Sequence, residues 1–369
     1  MGFGSNEFGE LANNITKEVS PVPVQIMSDV NMATGGSGHS LVVKKDGSLW
    51  VFGGIAFIPY DRDTIANMGG FSRIMVGVKN AAAGGEYSLA IKYDDTLWSF
   101  GNDNSVGQLG DGTTEYIGKK PHKIMSNVKM VSAGNEHSLV VKKDGTLWGF
   151  GANYSGQIGI SNKGGYLKTP KMITNDVAVV SAGWEHSLII KNDSSLWVIG
   201  ENSYGQLGDG ITGKTFVPKK VMDEVVAIAA GGRHSLALKK DGTLWGFGMN
   251  YSGQLGDKTL VNSKVPKFIM NNVKGICAGA KYSLALKNDG TLWSFGSNGY
   301  GQLGDGTIQN RAFPKLIMND VKTISSGWAH SLIIKNDGTL WSFGWNSEGQ
   351  LGQYERKVNK IILPVSSGE

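Results

Sequence analysis

A motif of the form Gly-x-x-(His or Tyr)-Ser-Leu returns seven times, its aromatic position held by His39, Tyr87, His137, His186, His234, Tyr282 and His330. Eleven residues after each stands a tryptophan: Trp50, Trp98, Trp148, Trp197, Trp245, Trp293 and Trp341. Successive copies lie 48, 50, 49, 48, 48 and 48 residues apart, a register kept over 291 residues. Self-similarity at such a period marks a repeat architecture, in which one supersecondary unit buries its faces only against its neighbours.

One unit reads as strands throughout. Lys274–Ala278 is a short apolar run that stops at Gly279, and Ser283–Lys287 alternates as a half-buried strand does. Asn288-Asp289-Gly290 turns the chain, and an Asp-Gly pair suits a two-residue type I′ hairpin, whose central residues both need positive φ. Thr291–Phe295 returns as the partner strand. A glycine-rich loop follows from Gly296 to Gly306, and Pro314–Met318 supplies a fourth strand at an edge, where a proline costs no ladder bond. The Asp-Gly turn recurs at Asp46, Asp144, Asp241 and Asp337 and is altered at Asp94-Asp95 and Asp193-Ser194. Four short strands per unit with no helical periodicity predict an all-β fold, a seven-bladed β-propeller of four-stranded blades.

Composition fits that reading and removes others. Glycine makes up 54 of 369 residues, about twice ordinary usage, yet it is not spaced every third residue, so collagen is excluded. With 40% hydrophobic, 9% aromatic and 18% charged residues, a disordered chain is excluded as well. A single cysteine, Cys277, rules out a disulfide scaffold and any multi-cysteine metal site. There is no apolar run of spanning length and no signal-peptide pattern at Met1–Glu7, so the compartment stays open; a secreted or cell-surface origin remains compatible with a leader already removed. The net charge of +5 permits an acidic partner without demanding one.

The glycine-rich loop carries a signature of its own, Gly-x-Asn-x-x-Gly-Gln-(Leu or Ile)-Gly, at Gly151–Gly159, Gly200–Gly208, Gly248–Gly256, Gly296–Gly304 and, with its third residue likewise Asn, at Gly344–Gly352. Followed by Pro-x-x-(Ile or Val) and the Gly-x-x-His-Ser-Leu motif, it resembles the regulator of chromosome condensation repeat family over essentially the whole chain. That resemblance implies a seven-bladed ring closed by pairing of the N- and C-terminal segments. The family includes a nuclear guanine-nucleotide exchange factor that docks on chromatin, a plant ultraviolet photoreceptor and a secreted bacterial β-lactamase inhibitor. What the resemblance implies in common is binding of another macromolecule on a propeller face; fold similarity does not choose among these functions. The lysine-rich, nearly uniform repeats look like the bacterial-type members.

Two departures stand out. After Trp50 the loop signature is replaced by Gly53–Asp63. At the ends, Gly2–Leu11 is a degenerate copy of the loop that Gly344–Gly352 carries in full, so seven tryptophan-anchored units share eight copies of the loop half. We therefore read residues 1–369 as a single propeller domain with terminal half-units at 1–30 and 342–369.

The five motif histidines, His39, His137, His186, His234 and His330, are replaced by tyrosine in two copies, which a metal-binding ring would not tolerate. Their expected role is structural, bonding backbone near the hub. The seven motif tryptophans are expected to pack between blades. The functional lead is the two-residue slot before each motif aromatic, which varies inside an almost constant frame: Ser37-Gly38, Gly85-Glu86, Asn135-Glu136, Trp184-Glu185, Gly232-Arg233, Ala280-Lys281 and Trp328-Ala329. Binding groups concentrate on loops of a rigid scaffold, and tryptophan and arginine are common hot-spot residues. Trp184, Glu185, Arg233, Lys281 and Trp328 are the candidate partner-binding residues. The photoreceptor uses tryptophans in a comparable slot, but as a cluster from adjacent blades, whereas Trp184 and Trp328 lie three units apart. Phe57, Tyr60 and Arg62 in the unusual segment after Trp50 are further candidates, by analogy with a projecting wedge in the exchange factor, although no wedge residue matches.

Other features read as scaffold. Tyr154, Tyr204, Tyr251 and Tyr300 follow the loop asparagine and either cover the joints between blades or form a stacking belt for a sugar or base. Gly-Asp-Gly strings such as Gly110–Gly112 and Gly208–Gly210 lack alternating carboxylates and read as turns rather than calcium loops. Only five of 36 basic residues are arginine, and the lysine pairs Lys44-Lys45, Lys142-Lys143 and Lys239-Lys240 are spread around the ring, so nucleic acid is not the expected partner. No catalytic constellation, cofactor motif or metal site is present. The expected function is a non-enzymatic, monomeric protein-interaction scaffold that binds a macromolecular partner on one face. The alternatives are an exchange-factor-like regulator of a small GTPase, a secreted inhibitor, or a cell-surface carbohydrate-binding module.

Overall fold

The computed structural model describes residues 19–54, 71–115, 120–160 and 165–352. They form seven four-stranded antiparallel sheets arranged as blades of one ring. Blades 1 to 6 occupy residues 30–75, 78–125, 128–174, 177–222, 225–270 and 273–318, each with its strands in chain order from hub to rim. Blade 7 takes three strands from residues 321–345 and its outer strand from the other end of the chain, where Val19–Met27 pairs with Leu340–Trp345. Ring closure is therefore a backbone ladder between the N- and C-terminal parts of the chain, with Val19 opposite Trp345 and Gln25 opposite Trp341.

This closure resolves the surplus half-unit within the described residues. The loop of blade 7 is the C-terminal copy: Asn346 Oδ1 accepts from the Leu351 N–H, and Ser342 donates to the Leu351 carbonyl. The fourth strand is the N-terminal copy. The loop of blade 6 holds it as other loops hold an ordinary outer strand, the Gly306 N–H donating to Pro21 O as the Gly210 N–H does to Lys264 O. The degenerate loop Gly2–Leu11 lies outside the described residues.

Two local expectations need correction. The central strands do not alternate between core and solvent; in His186–Lys191, for example, the first five side chains are all buried. Both faces of each blade are covered by neighbouring blades, so these strands read as nearly continuous buried runs. The hydrophobic clusters show the same thing, since each draws on two adjacent blades. One joins Leu188, Ile190 and Val198 of blade 4 to Val225, Ala237 and Phe247 of blade 5.

The hairpins at Asp-Gly are not two-residue type I′ turns either. The Gly47 N–H donates to Lys44 O and the Lys44 N–H to Ser48 O, so the loop has three residues, with a left-handed residue only at Gly47 (φ 77°). This is a type I turn followed by a bulge. One left-handed position instead of two explains why non-glycine residues are tolerated there in two blades, as Asp95 (φ 63°) and Ser194 (φ 64°). Asp95 also accepts from Lys79 and Lys143, which ties blade 2 to blade 3.

The motif tryptophans sit half-buried beside these hairpins. In all seven blades the indole N–H donates to a hydroxyl two residues upstream, as Trp148 does to Thr146 at 2.9 Å and Trp50 does to Ser48 at 2.8 Å. Trp148, Trp197, Trp293, Trp341 and Trp50 pack against clusters that span two blades. A lysine from the preceding strand lies over several of the rings, as Lys142 does over Trp148. No helix among the described residues is long and apolar enough to cross a membrane.

Candidate functional site

Around the hub, each blade is latched to the next by its motif aromatic. His39 Nε2 reaches Ser88 Oγ, His137 reaches Ser187, His186 reaches Ser235, His234 reaches Ser283 and His330 reaches Ser40, all at 2.8–3.0 Å. The last contact crosses the seam of the ring. In blades 2 and 6 a longer side chain does the same work: Tyr87 donates to His137 O and accepts from Ser138, and Tyr282 donates to His330 O and accepts from Ser331. The sequence reading placed the histidine partners on backbone; the structure places them on the motif serine of the following blade.

The serine decides the tautomer. Ser187, Ser235, Ser283 and Ser40 each donate their one hydroxyl proton to a loop glutamine carbonyl, of Gln157, Gln206, Gln254 and Gln350. The histidine must then donate through Nε2, which leaves Nδ1 bare and buried without a partner. Burial holds the five rings neutral, lowering their pKa to about 3, or about 4 for His186. The motif glycine makes room for this packing. A Cβ on Gly183 would lie 2.5 Å from His186 Cε1 and 2.6 Å from Gly231 O of the next blade. Among the described residues, no group of three or more His, Cys, Asp or Glu side chains could hold a metal ion.

The variable pairs lie immediately outside this ring, on the face that also carries the glycine-rich loops. The carbonyl of the second residue of each pair accepts from the N–H just after the glycine at the far end of the third strand. Glu185 O takes Glu201, Arg233 O takes Met249, Lys281 O takes Ser297 and Ala329 O takes Trp345. Each blade thus presents two variable positions side by side, held by one backbone bond. The second position reads Gly54, Asn102, Ala152, Glu201, Met249, Ser297 and Trp345, and it went unnoticed in the sequence because it does not fall inside the aromatic motif. The loops themselves are braced by their invariant residues. Asn202 accepts from the Leu207 N–H and donates to Asp209, and Gln206 Oε1 accepts from the Tyr204 N–H.

Trp184 and Trp328, three units apart in the chain, line the same opening. Both border the central channel, a space of about 380 Å³ walled by the inner strands, and both border a cavity of about 430 Å³ at its mouth. Trp345 and Glu348 join Trp328 there, with Glu86, Asn102 and Asn135 from blades 2 and 3. Trp328 meets Trp345 edge-on at 5.4 Å, and Tyr300 flanks both. Arg233 lies over Trp184 and Tyr204 and donates to the Tyr204 hydroxyl at 3.0 Å. Tyr204 in turn meets Tyr251 at 6.1 Å. Lys281 and Glu185 are exposed on the same face. Phe57, Tyr60 and Arg62 lie outside the described residues.

A family model described as RCC1-like domain matches residues 167–367, more than half of the chain. The chain belongs to the RCC1-like domain family. Two further models, both described as regulator of chromosome condensation (RCC1) repeat, match residues 94–141 and 128–157. No curated protein matches the sequence significantly. Among solved structures, this RCC1-like propeller is similar to human WBSCR16, with 22% identity, a TM-score of 0.73 and coverage of 88% of this chain and 89% of that one. It is similar to Prp20p from Saccharomyces cerevisiae at 19% identity and a TM-score of 0.71, covering 85% and 81%. A structure of Kap60 bound to yeast RCC1 (Prp20) gives 19%, 0.72 and 95% of both chains. At these identities the likeness shows the shared fold. In this RCC1-like propeller the constant residues build hub latches and loop braces, and the residues that differ between blades gather around one mouth.

Proposed function

We propose that this RCC1-like propeller is a non-enzymatic scaffold, a single monomeric ring that binds another protein on the face carrying the variable pairs. The observation that carries this reading is the convergence of Trp184 and Trp328, from blades 4 and 7, on one opening. Arg233 is already ordered against aromatic rings beside it. Pre-ordered tryptophan and arginine on a rigid frame are what a protein interface uses as anchors, because little side-chain entropy is lost on docking. Binding of other proteins is also what the yeast relative is described by: its binding properties to Gsp1p and histones in one structure, and its complex with Kap60 in another.

The exchange-factor reading rests on the family resemblance and stays as the alternative; the segment considered as its wedge, with Phe57, Tyr60 and Arg62, lies outside the described residues. Of the tyrosines in the stacking-belt reading, Tyr204 is engaged by Arg233, whereas Tyr154, Tyr251 and Tyr300 are exposed.

The test is capture of proteins from a lysate of the source cells by the intact chain, by a Trp184→Ala/Trp328→Ala variant, and by a Lys240→Glu variant on the opposite face. The expected result is one retained species lost with the tryptophans and kept with the lysine variant. No species retained above background, or one retained equally by the tryptophan variant, overturns the proposal.

A further inference from the structure

The mouth of the channel has a charge opposite to that of the chain. The protein carries +5 overall. Yet among the described residues the two variable positions of each blade and the loop residues beside them bring Glu86, Asp103, Glu136, Glu185, Glu201 and Glu348 to this face, against Arg233, Lys281 and, farther out in the loops, Lys214. The crowding is felt: burial, with Asp103 and Glu185 nearby, raises the pKa of Glu136. Glu86 and Glu348 line the mouth cavity itself, and neither forms an ion pair among the described residues.

The same cavity is walled by indole. Arg233 over Trp184 and Tyr204 shows, inside the molecule, what the aromatic rings of this face hold: a guanidinium 5.9 and 5.1 Å from the two ring centres. Trp328 and Trp345, in edge contact with each other, have no cation over them among the described residues, although Glu348 stands beside them in the cavity lining. Asn102 Oδ1, also in the lining residue set, is buried without a hydrogen-bond donor. Aromatic faces, carboxylates and a spare carbonyl oxygen in one cavity are complementary to an organic cation, which needs π-faces for its flat or methylene surface and acceptors for its N–H groups. Beneath the mouth the channel is walled largely by glycine, alanine and serine, among them Gly35, Ala82 and Ser132, which leaves room for a long unbranched side chain.

We propose that the mouth, between Trp328, Trp345, Glu86 and Glu348, binds the guanidinium or ammonium group of an arginine or lysine carried by a partner polypeptide. The proposal rests on the reading of this face as the partner surface and specifies its chemistry. The cation stacks on Trp328 and Trp345, its N–H groups donate to the two carboxylates, and neighbouring backbone of the partner covers the remaining rim. Arg233 and Lys281 repel a second cation on blades 5 and 6 and so orient the segment across the mouth.

The experiment is calorimetric titration of the intact chain with acetylated, amidated pentapeptides that differ only at the centre: arginine, lysine or neutral citrulline. Methylguanidinium chloride serves as the free small cation. Saturable binding of the arginine and lysine peptides is expected, at least about tenfold weaker for citrulline and for methylguanidinium, and weakened at least about tenfold by Trp328→Ala and by Glu86→Gln/Glu348→Gln, with Lys240→Ala neutral. Equal binding of the citrulline peptide, no saturation by either cationic peptide, or unchanged binding by the carboxylate variant overturns the proposal. Methylguanidinium binding as tightly as the peptides assigns the site to a free metabolite and overturns the polypeptide source. Should Trp328→Ala fail to fold, the carboxylate pair, which sits at the surface, still decides. Failure here leaves the lysate result standing, because a partner captured through Trp184 and Trp328 but indifferent to cationic peptides supports the face and removes only the cation.

Discussion

His186 and Glu185 are neighbours in the chain and belong to opposite parts of the molecule. His186 is one of seven links that run unbroken round the hub, each made to the motif serine or its neighbouring carbonyl in the next blade. Glu185 is one of seven residues in the same frame that differ in charge and size from blade to blade. The hub side chain is fully buried and its contact is shared with another blade, so a change on one side leaves an unpaired polar group on the other. The mouth side chain faces solvent and shares only its backbone carbonyl. Uniformity marks where blades depend on each other, and variety marks where they do not. The second kind of position is free to take on a partner.

Acid should break the hub first and most strongly. The five histidines have folded pKa values of about 3 to 4, below the unfolded value of 6.5, so between those limits the unfolded chain binds more protons than the folded one. Stability is then fully present above pH 6.5 and is lost as pH falls toward 3. The loss amounts to up to about 1.4 kcal/mol per histidine for each pH unit. The hairpin aspartates, held low by the serine or threonine hydroxyl two residues on, lose their contribution only further down, below their ordinary carboxylate range. Thermal melting from pH 7 to 4.5 should therefore show a steep fall with the histidines as its main source. A melting temperature flat over that interval would contradict neutral latches.

Next in size is a single link. His186→Ala removes a buried ring and strands Ser235, and should cost about 3 kcal/mol in urea denaturation. His186→Tyr copies what Tyr87 and Tyr282 already do in their blades. It should cost less than about 1 kcal/mol and make the acid fall shallower by one proton. If alanine and tyrosine cost the same, the latch is not the part of the hub that matters.

How much of this was legible beforehand depends on whether a feature is local. Strands, hairpins and the count of seven followed from the period, because each unit repeats the same contacts. Turn type was misread because Asp-Gly is compatible with two loop lengths, and only the Gly47-to-Lys44 bond distinguishes them. The histidine partner was misread because Ser235 is 49 residues from His186 and becomes its neighbour only across the blade joint. Trp184 and Trp328 looked separated because three units are far apart along a chain, whereas on a closed ring of seven they face one opening. Trp345 enters that opening from the end of the third strand and Glu348 from the loop after it, both outside the aromatic motif, and no pattern confined to the motif could have found them.

At the mouth, truncation should show the opposite balance. Trp328 is half-buried, and its ring contacts are with Trp345 and Tyr300 rather than with a neighbouring blade's core. Trp328→Ala should lower stability by only about 1 kcal/mol while abolishing partner retention. A loss as large as that of His186→Ala would make Trp328 part of the frame.

The smallest effect guards the comparison against a false lesson, that every departure from the repeat is functional. Ser194 departs where five blades have glycine, and it is held at φ 64°, a left-handed conformation that disfavours any residue with a Cβ. Its position is the hairpin end of the blade, away from the mouth. Ser194→Gly should relieve that strain and raise stability by about 0.5 to 1 kcal/mol, with partner retention unchanged. The other departure, Asp95, has the same backbone conformation but accepts from Lys79 and Lys143. Asp95→Gly relieves the strain and loses two ion pairs at once, so its net change should be close to zero. Denaturation of the two variants side by side separates the terms. A gain for Ser194→Gly with none for Asp95→Gly shows that Asp95 compensates locally for the glycine it replaces. Equal gains show that the two lysines contribute nothing, and that the substitution is drift.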